Sequence, residues 1–225
     1  MNGRHPLGDV THLWRYPVKS LAAHALPGAW VGPEGFEGDR RSALFVATPG
    51  HARNGRTYRG KEHNLLHTVG RIAQAQDLAA ERAVELETRA DGPHFDAAPV
   101  SILVDTWLTE LEALLDMQLD PLRFRPNIFV HAAPGFDLAE AALVGSTLYG
   151  PGIALEVIAP IARCVTTTYD IETGESDPRV LRAIAQHRAN IMGVYCNVRE
   201  AGTIALGESL WIAPERELAP VSELN

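Results

Sequence analysis

Cysteine is nearly absent from this chain. Its 225 residues include only Cys164 and Cys196, with no CxxC pair. That argues against a disulfide scaffold, a zinc ribbon and an iron–sulfur centre, and it suits a reducing cytoplasm. Long apolar runs are also missing. None approaches the ~20 residues that cross a bilayer, and the opening MNGRHPLGDVTHLW lacks the basic-then-apolar order of a signal peptide. The expectation is a cytoplasmic protein with no membrane contact. Positive charge is not in excess: 20 Lys and Arg stand against 28 Asp and Glu, a formal net charge of −8. Bulk charge therefore argues against a nucleic-acid partner, while leaving room for a local basic pocket that takes a phosphorylated small molecule. No GxSxG, P-loop or GxGxxG signature occurs, and there is no internal repeat or low-complexity segment.

What remains is the composition of a soluble globular protein, 46% apolar and 21% charged. Its length suits one large domain or two small ones sharing a core. Val10 to Val18, Ala25 to Val31, Arg41 to Thr48 and Ala83 to Arg89 read as strands. Residues 49–62 are polar, basic and loop-like, and His63 to Ala80 has helical spacing. Asp91-Gly92-Pro93 marks a boundary. Beyond it, Ser101 is a candidate cap for a helix to about Met117, and Phe124 to His131 holds a short strand. Residues 143–159 suggest paired strands around Gly150-Pro151-Gly152. Ser176 or Asp177, followed by Pro178 at the first helical position, starts a helix to about Asn190. Ile191 to Val198 and Thr203 to Ile212 suggest a hairpin across Glu200-Ala201-Gly202. Many short strands and few helices favour a β-rich, mixed α+β barrel over a doubly wound sheet.

Four polar groupings stand out. At the end of the first strand, Lys19 and Ser20 can hold an anion by charge and hydrogen bond, although an ordinary solvated strand end has the same composition. In Gly35-Phe36-Glu37-Gly38-Asp39-Arg40-Arg41, the glycines allow close backbone approach and Asp39 can orient an arginine. A surface turn with an ion pair is the competing account. Arg123 and Arg125 alternate with apolar residues, so on extended chain they would point to one side and suit a phosphate or carboxylate. Two surface arginines would look alike. The fourth grouping is Arg163-Cys164-Val165-Thr166-Thr167-Thr168-Tyr169-Asp170, a thiol beside a cation with hydroxyls close by. An inert core cysteine is the alternative. His63 and His67, at i and i+4, have the spacing of metal ligands, but Glu62 precedes His63 and no zincin pattern follows. They read as a solvated or pocket-lining face. Cys196, in IMGVYCNV, reads as core.

Taken together and in this order, the groupings resemble the MOSC family, named for the C-terminal domain of molybdenum-cofactor sulfurase. YPVKS and GDR are similar to the N-terminal β-barrel signatures. APVSILVDTWLTEL and RFRPNIFV are similar to the start of the MOSC domain proper, RCVTTTYDIETGE to the cysteine motif, and GVYCNVREAGTIALGE to the closing hairpin. The nearest resemblance is to proteins akin to the mitochondrial amidoxime-reducing component and its bacterial counterparts.

That resemblance implies a MOSC-type β-barrel over 96–213, an N-terminal β-barrel-like region over 1–95, a few helices and a loose tail over 214–225. It implies a molybdenum cofactor (molybdopterin), with Cys164 as the metal ligand and Cys164 and Asp170 at the reacting centre. Lys19, Ser20 and Arg40 would hold the pterin or its phosphate, as would Arg125 and Asn127 from the second half. Arg163, Thr166 and Thr167 would shape the loop around the metal, together with Asp170. The implied activity is two-electron reduction of N-oxygenated small molecules, with electrons from a separate donor protein, since no ferredoxin-like extension with four cysteines is present. The other implied role is a non-redox carrier of sulfur or cofactor with a persulfide on Cys164. A third is a barrel that binds anions without catalysis. Two features depart from the family pattern: Ile171 stands where Asp-Pro often continues the motif, and the stretch from 51 to 67 is longer and basic.

Overall fold

The computed structural model describes residues 5–213, so the expected tail from Pro214 lies outside the described residues. In chain order the strands are β1 (His5–Arg15), β2 (His24–Leu26), β3 (Gly28–Gly32), β4 (Gly35–Phe36), β5 (Ala43–Val46), β6 (Leu86–Arg89), β7 (Val100–Val104), β8 (Ile128–Ala132), β9 (Thr147–Tyr149), β10 (Ala154–Ala162), β11 (Ile191–Glu200), β12 (Gly202–Ala205) and β13 (Ser209–Ala213). Three α-helices interrupt them: α1 (Ile72–Ala80), α2 (Asp105–Leu115) and α3 (Pro178–His187).

Seven strands close into a mixed barrel in the order β13-β9-β10-β11-β7-β8-β1, with β1 returning to β13 and β2 attached outside the ring. Closure leaves none of these seven with an unpaired edge. Only β7 and β8 run parallel, and α2 supplies the crossover that a parallel pair requires. Gly8 sits where β1 meets both neighbours: a Cβ there would lie 2.0 Å from the carbonyl oxygen of His131. A glycine is what lets the strands approach so closely. Because β1 is a barrel strand, the region before residue 95 shares the barrel with the region after it.

Val10, Ile102, Ile128, Leu148, Val157 and Val194 belong to the main core. A smaller core of Leu21, Leu44, Tyr58, Leu66 and Ala79 lies beneath the β5–β6 ribbon and α1. The buried Tyr58 and Leu66 pin the basic stretch 51–67 to the body of the protein.

Several elements differ from the sequence expectation. Ser101 does not cap a helix. Val100–Val104 is a fully buried strand between β8 and β11, and α2 begins only at Asp105. A short apolar run with both faces covered carries no period to separate strand from helix. The helix expected from His63 is a 3-10 turn at Leu66–Thr68 followed by α1, with extended backbone at Val69 between them.

Arg123 and Arg125 are not on extended chain. Asp120 accepts from the Leu122 N–H at 2.7 Å, Pro121 opens a 3-10 turn, and Arg125 closes it at φ +52. The closing hairpin does not form either. β12 leaves β11 to pair with β3, and Thr203 to Ile212 is broken by the turn at Leu206-Gly207-Glu208. The α3 start is as the sequence indicates, with Asp177 accepting from the Arg179 N–H and Pro178 in the first turn.

Candidate functional site

Loops from distant parts of the chain meet around a cleft of about 390 Å³, a size suited to a small organic cofactor. Its floor is built on Tyr16. The buried ring donates its hydroxyl to the Pro126 carbonyl at 3.0 Å, and the guanidinium groups of Arg40 and Arg125 lie 4.7 and 4.2 Å from its centroid. Two like charges on one ring need counter-charge and orientation. Asp39 supplies both for Arg40. It is 4% exposed, accepts from the Tyr16 N–H at 2.6 Å, pairs with Arg40 and accepts from Asn127 at 3.3 Å.

Behind this pair, the buried Asn127 accepts from the Ser101 N–H (3.1 Å), the Ser101 hydroxyl (3.0 Å) and Arg40 (3.3 Å). It donates to the Trp14 carbonyl at 3.2 Å. Arg125 donates to the Leu21 carbonyl at 2.8 Å. Ser20, Arg40 and Arg125 all have left-handed backbones, at φ +73, +47 and +52. Non-glycine residues held this way cluster at functional sites.

The opposite wall is the end of β10 and the turn after it. Arg163 donates through Nε to the Met192 carbonyl at 2.7 Å and through Nη1 to the Phe124 carbonyl at 2.9 Å. Burial pushes Arg163 and Arg125 down to about 10, far enough above neutrality that both stay cationic. Cys164 follows with an exposed, unpaired thiol. A 3-10 turn over Val165–Thr168 holds it, with the Thr167 hydroxyl donating to the Cys164 carbonyl at 3.0 Å. The Thr166 hydroxyl lies 3.1 Å from Sγ.

The cleft lining carries seven cationic side chains (Lys19, Arg40, Arg59, Lys61, Arg123, Arg125 and Arg163) against one carboxylate, Asp96, which pairs with Lys19 at 2.5 Å. A chain of net negative charge has concentrated its cations here, as an anionic ligand requires.

The family model of the MOSC domain matches residues 90–211. This chain belongs to the MOSC domain family. It is 29% identical over 127 residues to mitochondrial amidoxime-reducing component 1 of Danio rerio, covering 52% of this chain and 37% of that protein. It is 24% identical over 131 residues to the human mitochondrial amidoxime reducing component 2, with the same coverage. The chain thus spans little more than a third of the length of the curated relatives it matches. Among solved structures, the YUAD protein from Bacillus subtilis shares the fold. Its TM-score is 0.59 at 15% identity, over 94% of this chain and 97% of that one.

Within this MOSC fold, Lys19, Ser20, Arg40, Arg125, Arg163, Cys164, Thr166 and Thr167 all line the same cleft. Asn127 and Asp170 do not. Asn127 sits one layer back, hydrogen-bonded to Arg40 and Ser101. Asp170 clamps its own loop: its carboxylate accepts from the Thr173 and Glu172 N–H groups at 3.0 Å and from Arg123 at 2.8 Å. Those two N–H groups, with Arg123 helping, hold it below the usual carboxylate range.

Sequence reasoning missed Asp96 and Tyr195 on the lining and the role of Tyr16 as a platform. Tyr195 alternates with the core residues of β11, a signal that it faces the other way. His63 and His67 do not form a pair, for His63 is buried while His67 lines the cleft. No group of three or more metal-binding side chains occurs among the described residues. No helix there is long and apolar enough to cross a membrane.

His67 carries a pH signature. Its ring stacks on Tyr169 at 5.9 Å and its Nε2 is 3.1 Å from the Asp170 carbonyl oxygen. Burial, together with Arg125 and Arg123, holds it below the usual imidazole range, against the Asp170 carbonyl, which favours the proton. The unfolded chain therefore takes up this proton near pH 6.5 while the folded chain does not. Stability falls as pH drops below about 6.5. Urea denaturation from pH 7.5 to 5 should show that fall, shared with His63, which burial also holds down. His67→Gln should give a shallower slope, and an unchanged slope would assign the effect elsewhere.

Proposed function

We propose that this chain holds a molybdenum cofactor in the cleft, with Cys164 as thiolate ligand, and reduces N-oxygenated small molecules. The observation that carries the reading is an exposed thiol opening onto a cavity lined by seven cations and one carboxylate. A pterin dithiolene with a phosphate tail brings the complementary charge, and a soft thiolate suits a sulfur-rich metal centre. Exposure keeps Sγ available, and the Thr166 hydroxyl beside it is positioned to donate to a thiolate.

Lys19, Ser20, Arg40 and Arg125 meet the pterin and its phosphate. Arg40 and Arg125 arrive preorganised by Asp39, Asn127 and Tyr16, so little ordering is left to binding. Asn127 and Asp170 act as positioning residues. When bound, the cofactor supplies two-electron chemistry to the substrate. For an amidoxime the N–O bond breaks, two electrons and two protons enter, and the amidine and water leave. A separate reduced electron-carrier protein supplies the electrons. The named relatives reduce amidoximes, which motivates this substrate class. Two unpaired cysteines suit a reducing compartment such as the cytoplasm.

The test is molybdenum analysis and pterin fluorescence after denaturation, on protein from a cofactor-competent host, with amidoxime reduction by a reduced viologen. Stoichiometric metal with turnover is expected. A persulfide on Cys164 by mass spectrometry, without metal or turnover, would replace this reading with a sulfur carrier.

A further inference from the structure

Besides His67, the basic stretch 51–67 meets the cleft at Arg59-Gly60-Lys61, which packs against the thiol loop. Gly60 is buried so tightly that a Cβ there would lie 3.1 Å from Cγ2 of Thr166, whose hydroxyl is the neighbour of Cys164 Sγ.

The turn that presents these residues is closed on itself. Glu62 accepts from the Arg59 N–H at 2.7 Å, and its carboxylate lies 3.4 Å from the Arg59 guanidinium and 3.1 Å from that of Arg53. One carboxylate is thus shared by two arginines and leaves Lys61 unneutralised. Lys61 is exposed, lines the cleft, and makes no ion pair among the described residues. The Arg59 Nε is buried without a hydrogen-bond partner. This orphan buried donor and the unpaired ammonium share one turn, packed through Gly60 against Thr166, and they add cation to the Arg40 and Arg125 pair on Tyr16.

Building on the proposed reductase role, we infer that Arg59-Gly60-Lys61 is a substrate-selecting wall for small organic anions, N-oxygenated compounds that also carry a carboxylate. Leu122 and Ile161 line the same cleft and give the carbon skeleton of such a compound apolar contact.

The test compares benzamidoxime with its 4-carboxylate on the molybdenum-loaded protein, by kcat/KM with reduced viologen. Calorimetric titration with 4-carboxybenzamide and benzamide provides a readout independent of turnover. The carboxylates should be favoured by about tenfold in both, the scale of one charge-assisted hydrogen bond, and raised salt should narrow the gap. Lys61→Glu, at an exposed position that the fold tolerates, should abolish the preference. Equal binding of the two ligands by wild type, or a preference that survives Lys61→Glu, would overturn the inference. Loss of molybdenum from Lys61→Glu would also overturn it, by assigning the lysine to the cofactor. Failure of the reductase reading looks different: wild type itself would then purify without molybdenum.

Discussion

Cys164→Ala should purify folded, free of molybdenum and inactive. Hydrogen-bond partners behind a metal ligand change affinity or activity by about 10–100-fold when removed, and loss of the ligand itself should exceed that range. The fold should not register the change. Cys164 is exposed and its thiol lies against the Thr166 hydroxyl at the surface, so stability should stay within about 0.5 kcal/mol of wild type. Cys196 is the internal control. It is fully buried in the core of β11, and burial pushes its thiol well above the usual range. Cys196→Ala should therefore lower stability while metal content is retained. Metal analysis and urea denaturation of both variants check the contrast. Full molybdenum in Cys164→Ala would remove the ligand assignment, and a large stability loss there would recast Cys164 as structural.

The two cysteines also show where sequence reading succeeds. Cys196 sits in the apolar strand run IMGVYCNV, so its burial follows from its residue type and its immediate neighbours. The same holds for α3, where Asp177 and Pro178 carry the start signal within two residues. Failures occur where the deciding partner is distant. Val100–Val104 is a strand because β8 and β11 flank it, and Thr203 pairs with Trp30 rather than with its neighbour β11. Motif order groups Lys19, Arg40, Arg125 and Cys164, each within a characteristic run, and all four line one cleft. It does not separate a residue touching the cavity from one standing behind it. Asn127 and Arg125 are two positions apart, yet one lines the cleft and the other braces it. The contact of Gly60 with Thr166 leaves no local trace in either segment.

That bracing layer is where stability should be most sensitive. Asp39→Ala removes the carboxylate that accepts from the Tyr16 N–H, faces Asn127 and neutralises Arg40, whose side chain is only 14% exposed. Breaking a buried pair from one side leaves the other charge without its counter-ion, which costs about 3–5 kcal/mol. Solvent reaching Arg40 places the expected loss at the lower end, about 3 kcal/mol by urea denaturation. Asp39→Asn should recover part of it, because an amide oxygen still accepts from Tyr16. Adding Arg40→Met to Asp39→Ala should recover more, because the stranded charge is gone. Neither rescue should restore molybdenum, since Asp39→Asn leaves Arg40 poorly oriented and the double variant removes it. A loss below about 1 kcal/mol in Asp39→Ala would mean that Arg40 is held by Asn127 and the Tyr16 ring alone. Recovery of stability without recovery of metal would separate what Asp39 does for the fold from what it does for the anion site.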